Sequence, residues 1–149
     1  MTISTSTHPA DETTSWMVVF AAWLVSAMAT ASALFLSEIM EYTPCVLCWY
    51  QRSFMFPLVL VLAVGLFPFD ARVVRYALPL AVGGWLVGAY QLLLMAGYIP
   101  KSAVPCGQGI DCSQAQVEWF GFVTIPLLSV IAFTAISALL IFLHARSSK

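Results

Sequence analysis

The sequence predicts an all-α membrane protein, a four-transmembrane-helix up-down bundle. Three observations lead to this fold class. First, 61% of the 149 residues are apolar and only 9% are charged, whereas a soluble domain carries about 25% charged residues. Second, the mean hydropathy is +0.92. Third, the apolar residues fall into four segments, each about 20 residues long, which is the length that crosses the hydrocarbon of a bilayer.

The four segments form one predicted domain, residues 16–143, with no separate soluble domain. Because the connections between spans are short, neighbouring helices must be antiparallel. Residues 1–15 are rich in Ser and Thr and are predicted to form a disordered cytoplasmic tail, and residues 144–149 form a second tail. The predicted spans are residues 16–36, 45–67, 73–95 and 119–142.

Small residues recur at helical spacing in two of the spans. Ala22, Ser26 and Thr30 lie four residues apart in the first span, and Gly84 and Gly88 form a Gly-x-x-x-Gly arrangement in the third. In lipid, small residues at this spacing let helix backbones approach closely. Both faces are therefore predicted to pack against other helices.

The basic residues in the short loops predict the orientation of the chain. Arg72 and Arg75 follow the second span, and Arg146 and Lys149 follow the fourth, whereas the opposite side has Lys101 in its loops. Both termini are therefore expected in the cytoplasm. All four cysteines of the chain then lie on the extracytoplasmic side.

The first cysteine pair, Cys45 and Cys48, opens the second span directly after Pro44. The free amide groups of a helix N-terminus favour a thiolate there. Arg52 lies four residues beyond Cys48 and shares its helix face, where its charge would stabilise a neighbouring anion. A charge this deep in a bilayer costs about 2–3 kcal/mol, so a functional role is favoured over snorkelling to the surface.

The second pair, Cys106 and Cys112, lies in the longest link, residues 97–116. Two cysteine pairs on an oxidising side of a membrane can pass two electrons from one pair to the other by thiol–disulfide exchange. Two structural disulfides are an alternative. A zinc site of four cysteines is a second one, but zinc ligands usually lie closer together than this pair, and no metal is predicted.

Gln91 is polar within the third span and lies on the face of Gly84 and Gly88. In lipid, such an amide can form a hydrogen bond between helices. It can equally contact a bound ligand, and the sequence leaves both roles open.

The stretch Pro-Cys-Val-Leu-Cys-Trp-Tyr-Gln-Arg, residues 44–52, closely resembles the signature of the disulfide bond formation protein B (DsbB) family. The stretch from Cys112 to Gly121, followed by Pro126, resembles that family's passage from the last loop cysteine into the fourth span. With four spans in the same order, the resemblance covers nearly all of the chain except its tails. The spacing of Cys106 and Cys112 matches the short-loop branch of the family.

The resemblance implies a multi-pass protein of the bacterial inner membrane that supports disulfide bond formation. It implies the disulfides Cys45–Cys48 and Cys106–Cys112. A thioredoxin-fold dithiol oxidase, DsbA-like and extracytoplasmic, would attack Cys106, and Cys112 would act as the resolving cysteine. Electrons would then pass to the first pair, and from Cys48 to a membrane quinone, either ubiquinone or menaquinone.

Two further residues would bind the quinone by the same resemblance. Arg52 is the arginine of the motif and would lie beside the quinone, and Gln91 aligns with a position near it. Two other functions remain possible. A vitamin K epoxide reductase-like enzyme shares the spans and cysteine pairs, although its quinone-facing pair follows the loop cysteines. A non-enzymatic bundle would use both disulfides only as structural links.

Overall fold

The structure is a computed structural model that describes residues 9–41, 44–100, 118–119 and 123–147. Within these residues the chain forms four α-helices, and each is long and apolar enough to cross a membrane. The predicted fold class is therefore confirmed. The helices are α1 (Pro9–Glu38), α2 (Val46–Leu66), α3 (Val73–Met95) and α4 (Ile125–Ser147).

The helices form a ring in which α1 and α3 each pack against both α2 and α4. Pairs of contacting residues show that neighbours are antiparallel. Along α2 and α3, Phe54 lies opposite Gly83 and Gln51 lies opposite Gln91. The residue numbers thus fall on one helix as they rise on the other, as an up-down bundle requires.

The first helix is longer than the sequence analysis predicted. It begins at Pro9 rather than near Trp16, so residues 9–15 are helical and do not belong to a disordered tail. Proline is favoured in a first helical turn, because the amide that it lacks would have no helical partner there. Glu12 lies three residues further on, and its negative charge is favourable near the positive end of the helix dipole.

The last helix begins later than predicted, at Ile125 rather than near Trp119. Pro126 is its second residue, where proline is favoured because the amide that it lacks would have no helical partner. Residues 118–119 instead pair with residues 123–124 in a short antiparallel ladder. The other two helices lie within one residue of their predicted bounds.

Large apolar side chains occupy both the inside and the outside of the bundle. Leu58, Leu62 and Phe133 are fully buried between the helices. Outward-facing residues such as Val64 and Leu86 remain well exposed. A soluble protein rarely exposes apolar side chains over such an area, whereas lipid covers them in a membrane.

The Gly-x-x-x-Gly face sets the distance between α3 and α4, as predicted. A Cβ atom at Gly84 would overlap the ring of Phe133, and one at Gly88 would lie 2.7 Å from Cγ2 of Val130. The small face of α1 is also packed, because Ser26 is fully buried. The close approach of α3 and α4 therefore requires glycine at positions 84 and 88, because a side chain there would overlap α4.

Gly84→Ala is expected to destabilise the bundle by about 1–3 kcal/mol, the usual cost of overpacking. The cause is overlap with the Phe133 ring, and reversible unfolding in mixed detergent micelles measures the effect. Phe133→Leu makes room for the added methyl group, so the double variant should be more stable than the sum of the single effects. If the effects of the two substitutions simply add, the side chain at position 84 does not meet the Phe133 ring.

Candidate active site

The first cysteine pair lies at the start of α2. Cys45 is the N-cap residue in an extended conformation, and its carbonyl accepts a hydrogen bond from the Trp49 amide at 3.1 Å. Cys48 lies one turn further along the helix. The two sulfurs are 2.9 Å apart, with Cys45 buried and Cys48 partly exposed. The local helix start therefore brings both sulfurs together.

A chain of buried hydrogen bonds connects α4 to these sulfurs. Ser129 Oγ donates to Gln51 Oε1 at 2.6 Å, and Gln51 Nε2 donates to Gln91 Oε1 at 2.8 Å. Gln91 Nε2 then donates to Cys45 Sγ at 3.3 Å and lies 3.6 Å from Cys48 Sγ. The chain thus joins three helices and ends at the cysteine pair.

This chain satisfies polar groups that the bundle hides from solvent. Gln51 is 7% exposed and Gln91 is 3% exposed, and a buried group without a partner costs about 1–3 kcal/mol. Gly88 borders the chain, because a Cβ there would lie 3.6 Å from both Gln51 Nε2 and Ser129 Oγ, an ordinary contact distance. Of the two roles left open for Gln91, the structure therefore places it in an interhelical hydrogen bond, while its ligand role stays a prediction.

Arg52 lies on the other side of α2 and contacts α1. Its Nη2 donates to the Ala33 carbonyl at 2.7 Å, and its Nη1 donates to Ser37 Oγ at 3.2 Å. The guanidinium also lies 5.6 Å from the centre of the Trp49 ring. All three partners are neutral, so they hold the guanidinium in place without cancelling its positive charge.

A cavity opens between α1, α2 and α4 beside Cys48 and Arg52. The empty space within it, with the open mouth included, is about 680 Å³. The walls are mostly apolar. The lining residues are Ala29, Thr30, Ala33, Leu36 and Ser37 from α1, Pro44, Cys48, Gln51, Arg52, Met55 and Phe56 from α2 and the link before it, and Ile125, Ser129 and Phe133 from α4.

The second pair, Cys106 and Cys112, lies outside the described residues, and its disulfide and roles stay predictions. The link that carries it leaves α3 next to the first pair. Leu94, near the end of α3, packs in one cluster with Cys45, and Ile99 packs against that cluster. The chain therefore enters this link at the cysteine end of the bundle.

Sequence reasoning did not single out Gln51 or Ser129, and it treated Thr30 only as a packing residue. A signal was present, because polar side chains within apolar spans are costly and tend to be functional. The sequence alone does not say which of these residues meet. That depends on how closely α3 packs against α4 and on which face of α1 turns toward α2.

Comparison with known proteins places this chain in a family. The family model described as "Disulfide bond formation protein DsbB" matches residues 14–143. The chain belongs to the DsbB family. The resemblance noted in residues 44–52 is thus confirmed, and membership supports a role in disulfide bond formation as a thiol oxidoreductase that spans the membrane several times.

Curated relatives of this DsbB-family chain agree with that assignment. It is 43% identical over 142 residues to a "Probable disulfide formation protein" of Metapseudomonas resinovorans, covering 95% of this chain and 99% of the relative. It is 39% identical over 131 residues to "Disulfide bond formation protein C" of Bacillus subtilis, covering 88% and 95%. No solved structure is matched significantly by the chain.

The paired amides should be energetically coupled. Gln51→Leu and Gln91→Leu each leave a buried amide without its partner, so each is expected to lower the free energy of unfolding by about 1–3 kcal/mol. The double variant should cost less than the sum, with a coupling of about 0.5–3 kcal/mol. Unfolding in mixed micelles measures all three variants.

Ser53→Ala is the matched control for that cycle. Ser53 is exposed, and among the described residues it bonds to the Trp49 carbonyl of its own helix, so the change should stay within about 0.5 kcal/mol. Additive effects of the two glutamine substitutions would show that the amides do not depend on each other.

Proposed function

We propose that this DsbB-family protein re-oxidises a thioredoxin-fold, DsbA-like dithiol oxidase and delivers the electrons to a membrane quinone. The observation that carries the proposal is the position of Cys48. Its sulfur lies 2.9 Å from that of Cys45, and the same residue lines the cavity between α1, α2 and α4. A cysteine pair and a space for a small molecule therefore share one residue.

Electrons enter, in this proposal, at Cys106–Cys112. A thiolate of the partner attacks Cys106, which forms a mixed disulfide and releases Cys112 as a thiolate. The partner's second thiol then attacks its own sulfur in the mixed disulfide, so the partner leaves oxidised and Cys106 and Cys112 are both reduced. Two electrons and two protons have then moved from the partner to this chain.

The second exchange takes place between the two pairs of the chain. One thiolate of the loop pair attacks the Cys45–Cys48 disulfide, and the mixed disulfide resolves to restore Cys106–Cys112. Cys45 and Cys48 are then the reduced pair. Gln91 Nε2, which donates to Cys45 Sγ at 3.3 Å, would hold that sulfur in place and stabilise negative charge on it.

The chemistry of the cavity lining suits a quinone headgroup. Its walls are mostly apolar, Arg52 supplies a fixed positive charge, and Thr30 Oγ1 is a buried hydroxyl without a partner among the described residues. A bound quinone, either ubiquinone or menaquinone, would supply a two-electron, two-proton acceptor for the pair. Arg52 would bind one of its oxygens and stabilise developing negative charge, and Gln91 would act from the far side of the sulfurs.

The same proposal places both termini in the cytoplasm of a bacterium and the cysteines outside its inner membrane. Arg72 is the residue just before α3, and Arg146 lies in the last turn of α4. In an up-down bundle these two positions share one end, opposite the end that carries Cys45. The positive-inside rule assigns the arginine end to the cytoplasm.

Turnover by the reconstituted full chain tests the proposal. The protein in lipid nanodiscs receives a short-chain ubiquinone and a reduced thioredoxin-fold oxidase, and quinol absorbance is followed with the partner's thiol content. Cys45→Ser and Cys106→Ser are each expected to lower the rate to the uncatalysed background. Ser53→Ala, outside the cavity, should keep the wild-type rate. Normal turnover in either cysteine variant would contradict the relay.

Arg52→Ala is expected to lower quinone-dependent turnover by about 10²-fold, in the range found when one charge-stabilising donor is removed. Arg52→Lys should recover part of the rate, because it keeps the charge but not the planar fork of donors. Disulfide exchange with the partner in a single turnover without quinone should stay unchanged in both variants. An unaltered quinone-dependent rate in Arg52→Ala would remove its assigned role.

A further inference from the structure

We infer that Thr30 is a second hydrogen-bonding residue for the quinone and fixes the orientation of its ring in the cavity. The inference rests on the proposed function and adds one residue to it. Thr30 lies on α1, in a stretch where the sequence pattern indicates only close packing. Three observations support the assignment.

The first observation is that Thr30 Oγ1 is buried and has no hydrogen-bond partner among the described residues. Other hydroxyls on the same helix bond to the backbone within one turn. Ser26 Oγ donates to the Trp23 carbonyl at 2.8 Å, and Ser37 Oγ donates to the Leu34 carbonyl at 3.2 Å. A buried hydroxyl without a partner costs free energy, so an external partner at Thr30 would be favourable.

The second observation is where this hydroxyl lies. Thr30 lines the same cavity as Cys48 and Arg52. Arg52 is bound to Ala33 and Ser37 of α1, and Thr30 precedes Ala33 by three residues, which is about 4.5 Å along a helix axis. The cavity therefore has a charged donor nearer the cysteine end and a neutral hydroxyl about one turn deeper.

The third observation is the space between these two groups. Ala29 and Ala33 are two of the α1 residues that line the cavity with Thr30, and their side chains are small. The row of small residues that packs closely at Ala22 and Ser26, both fully buried, thus opens into the cavity at Thr30.

The chemistry of a hydroxyl suits a ligand that changes between two redox forms. A para-quinone carries two carbonyl oxygens on opposite sides of its ring, and its reduced form carries two hydroxyls. Thr30 can donate to a carbonyl and can also accept from a hydroxyl, whereas Arg52 can only donate. Thr30 would therefore bind the oxygen farther from Arg52 in both forms and keep the other oxygen toward Cys48.

Thr30→Val tests the assignment, because valine keeps the shape of threonine and removes only the hydroxyl. The oxidised full-length protein in nanodiscs is titrated with a short-chain ubiquinone, without a partner, so no turnover occurs. The dissociation constant follows from the shift in thermal unfolding with quinone concentration. We expect about 3–10-fold weaker binding, the effect of one lost hydrogen bond, and a similar rise in the KM for quinone with an unchanged KM for the partner.

Two further variants separate hydrogen bonding from packing. Thr30→Ser keeps the hydroxyl, so its dissociation constant should stay within about twofold of the wild-type value. That change is smaller than the one expected for a lost hydrogen bond. Ser137→Ala removes another buried hydroxyl that has no partner among the described residues, but it lines a different groove and should leave binding unchanged. If Thr30→Val does not fold, Thr30→Ala makes the same comparison.

Wild-type affinity in Thr30→Val would overturn the inference, and so would equal weakening by Thr30→Val and Ser137→Ala. Failure of the wild-type protein to bind or reduce quinone is a different result, because it would overturn the proposed function itself. The wild-type titration therefore separates the two failures.

Discussion

The pairing of two buried amides, Gln51 on α2 and Gln91 on α3, is the interaction on which the rest of the site depends. Inside a bilayer no water is present to satisfy such groups, so each must find a partner within the protein. With Ser129 as the third member, the amides join α2, α3 and α4 and leave one amide donor directed at the sulfur of Cys45. The bundle therefore fixes its cysteine pair by satisfying its own polar groups.

Helix α2 contributes to two features of the site. Through Gln51 it joins the amide chain, whose members Gln51 and Ser129 also line the cavity. Through Arg52 it reaches α1, where the cavity opens. Cys48 borders both, since its sulfur lies 3.6 Å from Gln91 Nε2 and the residue lines the cavity. The amide chain contacts the sulfurs, and the cavity beside Cys48 offers space for the proposed quinone.

Much of this could be predicted from sequence, because its causes are local. Apolar length gave the four helices, and the Cys-x-x-Cys spacing placed Cys45 and Cys48 on one helical turn. The starts of α1 at Pro9 and of α4 at Ile125 were missed, although each helix has a proline in its first turn. The partners of Gln51 could not be predicted, and neither could the Thr30 hydroxyl that lacks a partner in the described part of the chain. They follow from which helix faces meet, and a single sequence does not contain that information.

We propose that Cys45 and Cys48 cycle between a disulfide and two thiols, and that a membrane quinone is reduced each time the disulfide re-forms. The most direct measurement is acid trapping of growing cells, followed by alkylation and mass spectrometry of the peptide that carries both cysteines. The account predicts a mainly oxidised pair in normal cells and accumulation of the doubly alkylated pair when quinone synthesis is blocked. A pair that stays oxidised without quinone, as a structural disulfide would, contradicts it.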